Sequence, residues 1–413
     1  MYTIKYAVKY TMPGIEGEKE KISMQQEAVR IPREEYHKRW EKVQKIMKDH
    51  QLDVILTYSD DRATHGNAYA RYYADLPTHF ENVLLMFLAD SDPVILTGPE
   101  TEGYAKEISA IQNIKVLSEF SAEDEDYPFS VVEPLEQIVK QCVLKSPERV
   151  GIAGKLYMGA ELYEAVESAF QSAKLVDADK LLEPMRGVKS RAEIAVIRKA
   201  YEIATAGMQA AVAAVRPGIT EREVAAEAEY VMRRMGCEGY GIDPIVASGQ
   251  NTRHILARTT NRKIEENDVV VITLAPRYEG YHGACGRTIL VGNPGEKVKA
   301  AVDAAIRAQE VCAENLLPGK IGSMVEAMGR QVMKEAGYEK NFMYSGLHSI
   351  GVIEFEPPIL GPSSSVMIEK DMVISVDIPL FEADIPGMRF EDGYLILEHG
   401  MEKLTDIPLL IQK

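Results

Sequence analysis

The chain has 413 residues, 46% of them hydrophobic and 27% charged, which suits soluble packing in two domains of ordinary size. Its 63 acids and 47 bases leave a formal net charge of −16. A surface of that sign repels phosphate backbones and anionic bilayers, so neither nucleic acid nor membrane is expected as a partner.

Taken from the start, residues 1 to about 30 are polar and irregular and read as an arm lying on a neighbouring subunit. They carry no long apolar run, and no stretch of the chain reaches the 18 apolar residues of a spanning helix. A cytoplasmic protein is the expectation. "PREEYHKRWEKVQKIMKDHQ" then places Tyr36, Trp40, Val43 and Met47 at three-to-four spacing, which predicts an amphipathic helix. The short apolar runs "LDVILTY", "ENVLLMFLA", "PVILTG", "KVLSEF" and "RVGIAG" predict strands, with helical stretches such as "SVVEPLEQIV" between them. Residues 1–184 therefore read as a mixed α/β domain. Within it, Tyr72, Tyr73 and His79 are candidates to line a neighbouring subunit's pocket, although packing is the commoner use of such an aromatic run.

At Met185 the pattern turns helical, and residues 185–413 form the second domain. A long helix is expected from "MRGVKSRAEIAVIRKA" through "YEIATAGMQAAVAAV" to a stop at Pro217 and Gly218. Thr220 and Glu223 make a capping box for the next helix. The same sequence of helix, Pro-Gly stop and second helix returns around Pro318. That echo predicts a duplicated half-domain with a cleft between the halves. The four cysteines, Cys142, Cys237, Cys285 and Cys312, form no CxxC pair and read as reduced thiols.

Four clusters in this domain can carry chemistry. "PIVASGQNTRHILARTTNRKI" holds His254 and Arg258. "NDVVVITLAPRYEGYHGACGRTILVG" reads as a strand through Thr273 that turns near Tyr278 and returns. Alternation along the return puts His282, Ala284 and Gly286 on one face. "YSGLHSIGVIEFEPP" holds His348, Glu354 and Glu356, and "DMVISVDIPLFEADIPGMRFEDGYLI" holds Asp377, Arg389, Glu391 and Asp392. His348, Asp377 and Glu391 are an imidazole and two carboxylates on separate strands. Such a trio can ligate a single zinc, manganese or iron ion, or hold a cationic substrate and move protons.

The segments "RGVKSRAEIAVIRKA", "VASGQN", "RYEGYHGACGRT", "LHSIGVIEFEPP" and "MRFEDGYLILEHG" resemble the pita-bread family of creatinase, prolidase and the Xaa-Pro and methionine aminopeptidases. The resemblance implies a duplicated α+β catalytic domain behind a smaller mixed α/β N-terminal domain, and a homodimer. In the peptidase members, five ligands (Asp, Asp, His, Glu and Glu) hold two metal ions. Here those positions carry Thr273, Ala284, His348, Asp377 and Glu391, so two ligands are degenerate. The substrate-side histidines fall on Leu256 and Phe355. Creatinase, which works without metal, also lacks both aspartates, but its catalytic histidine falls on Leu256 and its guanidinium-binding glutamate on Gly286.

The sequence thus leads to a creatinase-like hydrolase of a C–N bond in a small cationic or zwitterionic metabolite, without a dinuclear centre. His348, His254, Asp377 and Glu391 are the expected catalytic groups, and Arg389, Glu356, Phe355, His282 and Arg258 the substrate-binding ones. No cofactor is expected, save room for a single divalent metal on His348, Asp377 and Glu391. The alternatives are a mononuclear metal-dependent hydrolase or lyase, an Xaa-Pro dipeptidase or aminopeptidase, and a catalytically inactive binding protein of the same fold.

Overall fold

A computed structural model describes residues 29–62, 64–122 and 124–413, so the expected N-terminal arm lies almost wholly outside the described residues. The helix Arg33–His50 buries Tyr36, Trp40, Val43 and Met47, the stripe its spacing predicted. It packs on a seven-stranded mixed sheet in which Val54–Ser59 runs parallel to Arg149–Ala153 and antiparallel to the central strand Val83–Leu88. Tyr72 and Tyr73 belong to the core between this domain and the next, with the Tyr72 hydroxyl donating to the Met185 carbonyl at 3.0 Å. They pack rather than line a pocket, and His79 is exposed. Among the described residues no helix is long and apolar enough to cross a membrane.

The second domain opens with α1 (Arg191–Ala214) and α2 (Glu221–Arg234). The expected helix from Met185 begins later, because Glu183–Arg186 forms a tight 3-10 turn and Ser190 with Glu193 closes a capping box at the true N-terminus. Thr220 and Glu223 cap α2 as the sequence predicted. The equivalent pair later in the chain is α3 (Glu296–Glu314) and α4 (Gly322–Glu335). Each pair is joined by a Pro-Gly turn whose glycine is left-handed, Gly218 at φ +88° and Gly319 at φ +86°.

The main strands are β1 (Ile245–Ser248), β2 (Val269–Leu274), β3 (Cys285–Leu290), β4 (Leu347–Ser349), β5 (Glu356–Ile359), β6 (Val373–Leu380) and β7 (Met388–Leu397). They lie in the order β5-β4-β6-β7-β3-β2-β1. With β4, β6 and β7 matched to β1, β2 and β3, the six strands beyond the edge strand β5 read the same from either end. This is the pseudo-twofold that the echo predicted. Each half packs its own helix pair on its own strands: Met208, Val224 and Ile272 in one core, Val302, Val325 and Ile374 in the other.

The return strand departs from expectation. Pro276–Tyr278 and Tyr281–His282 leave the large sheet and pair with each other, Pro276–Tyr278 pairing also with Gly239–Tyr240, and regular pairing resumes only at Leu274 opposite Cys285. The reason is steric. The Gly283 backbone presses against α1, where a Cβ would meet the Tyr201 nitrogen at 2.5 Å. Alternation is therefore broken between His282 and Gly286, and the two do not share a face by periodicity.

Glu356, expected to bind substrate, instead ties the domains together. Its carboxylate, fully buried, takes Lys189 Nζ at 3.0 Å and Arg186 Nε at 3.1 Å. Lys189 also donates to Ser349 Oγ at 2.8 Å and to the Arg186 carbonyl at 2.6 Å. Replacing Glu356 with glutamine strands two buried cations, and denaturant unfolding is expected to show a loss of about 3–5 kcal/mol. A loss below about 1 kcal/mol, the worth of an exposed pair, would show that the cations find other compensation.

Candidate functional site

The sheet register builds the site. Thr273 pairs with Gly286, Gly286 with Glu391, and Glu391 with Asp377, so one row crosses four adjacent strands. His348 lies opposite Ser375, two residues along β6 from Asp377 and so on the same face. His348, Asp377, Arg389 and Glu391 are all buried, and all line one cavity of about 480 Å³. Glu354, from the loop between β4 and β5, lines it as well.

Each group is held by a definite partner except one. Tyr344 donates to Asp377 Oδ2 at 2.5 Å and accepts from Arg389 Nη2 at 2.8 Å and Nε at 3.1 Å. Arg389 Nε lies 3.4 Å from Asp377 Oδ1, and Nη1 donates to Thr273 Oγ1 at 3.1 Å. Gly286 makes room for this guanidinium, since a Cβ there would come within 2.8 Å of Arg389 Cγ. Glu391 Oε1 accepts from Ser375 Oγ at 2.8 Å. The His348 Nδ1 hydrogen bond to the Ser349 carbonyl, 2.9 Å, leaves Nε2 free to accept. Glu354 is only 4% exposed, yet it accepts no hydrogen bond among the described residues.

Burial dominates the electrostatics. It pushes the Glu391 carboxyl well above its usual range, helped by the neighbouring Asp377 and Glu354 charges. It pushes Glu354 up to about 7, again with Asp377 adding to the effect. It also lowers His348, which is therefore neutral at pH 7.

The other expected residues are distributed unevenly. Phe355 lines the cavity and packs on His348 with ring centroids 4.2 Å apart. It also walls a second cavity of about 330 Å³ at the domain seam, beside Tyr69 and Arg186. Arg258 sits at the mouth, its side chain 77% exposed and 3.6 Å from Asp243. Leu256 lines the same wall with Ile242, Ile245 and Ala257. His254 does not enter the cavity. Its exposed ring meets Glu382 at 3.2 Å because its loop turns outward. His282 does not enter either: it is buried against the Gly351 carbonyl at 3.0 Å, and burial lowers it to about 3. Ala284 packs in the core shared with the N-terminal domain.

Three polar lining residues have no role in the sequence reading of the site. Tyr344 opens the segment "YSGLHSIGVIEFEPP", but nothing local in that segment marks it as a site residue. Thr64 comes from the other domain, its hydroxyl donating to the Gly241 carbonyl at 2.8 Å. Glu354 shares the cluster of His348 and Glu356, where spacing alone gives it no role. Its signal was available, because a carboxylate inside the apolar run "GVIEF" is out of place unless it serves a site.

Residues 195–398 match metallopeptidase family M24, and residues 39–188 the creatinase/prolidase N-terminal domain. The Xaa-Pro dipeptidase of Pyrococcus furiosus is 30% identical over 313 residues, covering 76% of this chain and 86% of that protein. The chain belongs to family M24. Membership makes it a hydrolase. The crystal structure of the prolidase from Pyrococcus horikoshii matches with a TM-score of 0.77 at 26% identity, over 90% of this chain and 99% of that one. The prolidase from Pyrococcus furiosus matches with a TM-score of 0.74 at 26% identity, over 88% and 99%. These comparisons favour the Xaa-Pro dipeptidase alternative over the creatinase-like one.

The residues present do not fit the two-ion centre of the peptidases. Thr273 and Ala284 supply no carboxylate, and the Arg389 guanidinium already bonds to Thr273 as the local cation. The single-ion set expected from the sequence also changes. Asp377 is engaged by Tyr344 and Arg389, and the donors that converge are His348, Glu354 and Glu391.

The raised Glu354 carboxyl has a consequence for pH. Its ordinary value is 4.5, so between there and about 7 the folded state holds a proton that the unfolded state has lost. In ligand-free protein this contribution to stability falls as pH rises through that window and stays lost above it. Urea unfolding of wild type and Glu354→Gln at pH 5 and pH 8 checks the sign: the variant should gain relative to wild type at pH 8. A relative gain at pH 5 instead would refute the assignment.

Proposed function

We propose that this chain hydrolyses a C–N bond in a small zwitterionic substrate without the two-ion centre of its peptidase relatives. The observation that carries the reading is the convergence of His348, Glu354 and Glu391 in one buried cavity, at a place where Thr273 and Ala284 have no carboxylate to offer. A water held among these three attacks the carbon of the C–N bond. Glu354, in its ionised form, takes its proton, and Glu391, whose own proton burial holds in place, gives that proton to the leaving nitrogen as the bond breaks. Asp377, Tyr344 and Arg389 brace one side of the cluster through their mutual bonds. Arg389 is occupied there, so the substrate carboxylate falls to Arg258 at the mouth. The apolar wall from Ile242 to Leu256 suits a compact side chain.

A second reading, cleavage of Xaa-Pro dipeptides, is supported by the 30% identity to the Pyrococcus furiosus dipeptidase. Against it stand Phe355 and Leu256 at the substrate-side histidine positions. The catalytic domain's resemblance also carries a homodimer into the proposal, which light scattering tests.

Hydrolysis of Xaa-Pro dipeptides, acyl amino acids and amidino acids, with and without added manganese, separates the readings. Proline-dependent cleavage would establish the second; turnover of none would leave a binding protein and sink both. On whichever substrate is turned over, Glu391→Gln is expected to cost kcat about 100-fold or more. Arg258→Ala should raise KM with little change in kcat, the mark of lost uniform binding.

A further inference from the structure

We infer that His348, Glu354 and Glu391 form a binding site for one divalent transition-metal ion, with Glu354 supplying a carboxylate that the family's usual positions no longer provide. One donor atom from each residue can be chosen so that all three lie within 4.8 Å of one another, and all three side chains are buried. A cation about 2.0–2.2 Å from each would draw the three donors closer together than that.

The local charge is unbalanced without such an ion. Three buried carboxylates, Glu354, Asp377 and Glu391, face one buried cation, Arg389, which lies against Asp377, while Arg258 stands exposed at the mouth beside Asp243. Glu354 is aimed into the cavity with no hydrogen-bond donor among the described residues to satisfy it, and Glu391 has Ser375 on one oxygen alone. Burying two such carboxylates side by side is costly unless a proton or a cation joins them.

The donor set also selects the kind of cation. The Ser349 carbonyl fixes His348 with Nε2 turned to the cavity, the arrangement that orients a metal-bound imidazole. One imidazole with two carboxylates suits manganese, iron, cobalt or zinc better than the all-oxygen preference of calcium or magnesium. Room for Glu354 is built in. A Cβ at Gly241 would meet Glu354 Cβ at 2.6 Å, so that glycine lets the glutamate stand where it does. When bound, the ion would supply Lewis acidity to the water that the functional reading places among the same residues.

That reading locates the site, but the test needs no substrate, so the two fail separately. Full-length protein stripped by chelator is reloaded with Co²⁺ or Mn²⁺ and dialysed. Ions per chain are counted, and the Co²⁺ visible spectrum is recorded. One ion per chain is expected in wild type and in Asp377→Asn. Glu354→Gln should weaken binding by at least about 100-fold, beyond the 10–100-fold typical of outer-shell losses. Glu354→His, which restores a ligand, should regain the ion with a shifted Co²⁺ spectrum, guarding against a variant that merely fails to fold. No retained ion, two ions, or one ion held equally well by Glu354→Gln would overturn the inference.

Discussion

The clamp of Lys189 and Arg186 on the buried Glu356 carboxylate is the contact on which the rest of the catalytic face depends. Arg186 and Lys189 lie in the segment joining the two domains, and Ser349, bonded to Lys189, ends β4. The clamp therefore fixes the joint, the strand that carries His348 and the loop between β4 and β5 at once. A Cβ at Gly351 would meet Glu356 Oε1 at 2.3 Å, so the loop folds directly over the pair. Glu354 and Phe355 reach the cavity because the residue after them is pinned. Charge buried at this cost makes sense where position matters more than stability.

Around that fixed point the site has exchanged one kind of compensation for another. The row across four strands, which holds three of the five metal-ligand positions of the peptidases, here carries Thr273 at one of them and has Gly286 beside it. The space and charge that a carboxylate and an ion would share are taken by Arg389, braced by Tyr344 and Asp377. Negative charge has moved to Glu354, on the loop between β4 and β5.

Much of this was legible in the sequence. The stripe of Tyr36, Trp40, Val43 and Met47 declared its helix, and the repeated Pro-Gly stops declared the duplication, because both follow from local periodicity and backbone geometry. His348, Asp377, Arg389 and Glu391 could be placed together through their motifs. What failed was whatever depended on distant partners. Glu356 looks like a free site acid until Arg186 and Lys189 arrive from 170 and 167 residues away. His282 was set by alternation along a strand that α1 breaks at Gly283, and His254 by proximity in a loop whose direction no local pattern fixes. Thr64 belongs to another domain altogether.

The two halves of the catalytic domain are alike in backbone and unlike in what they bring to the cavity. His348, Glu354, Asp377, Arg389 and Glu391 all come from the second half, while the first contributes chiefly Ile242, Ile245, Leu256, Ala257 and the rim residue Arg258. After duplication the copies have specialised, one as reagent and the other as mould. Drift in the mould alters which molecules fit; drift in the reagent alters whether anything reacts. New substrate preference can therefore evolve in the first half without disturbing the ionised cluster, a freedom denied to a centre whose ligands are shared between both.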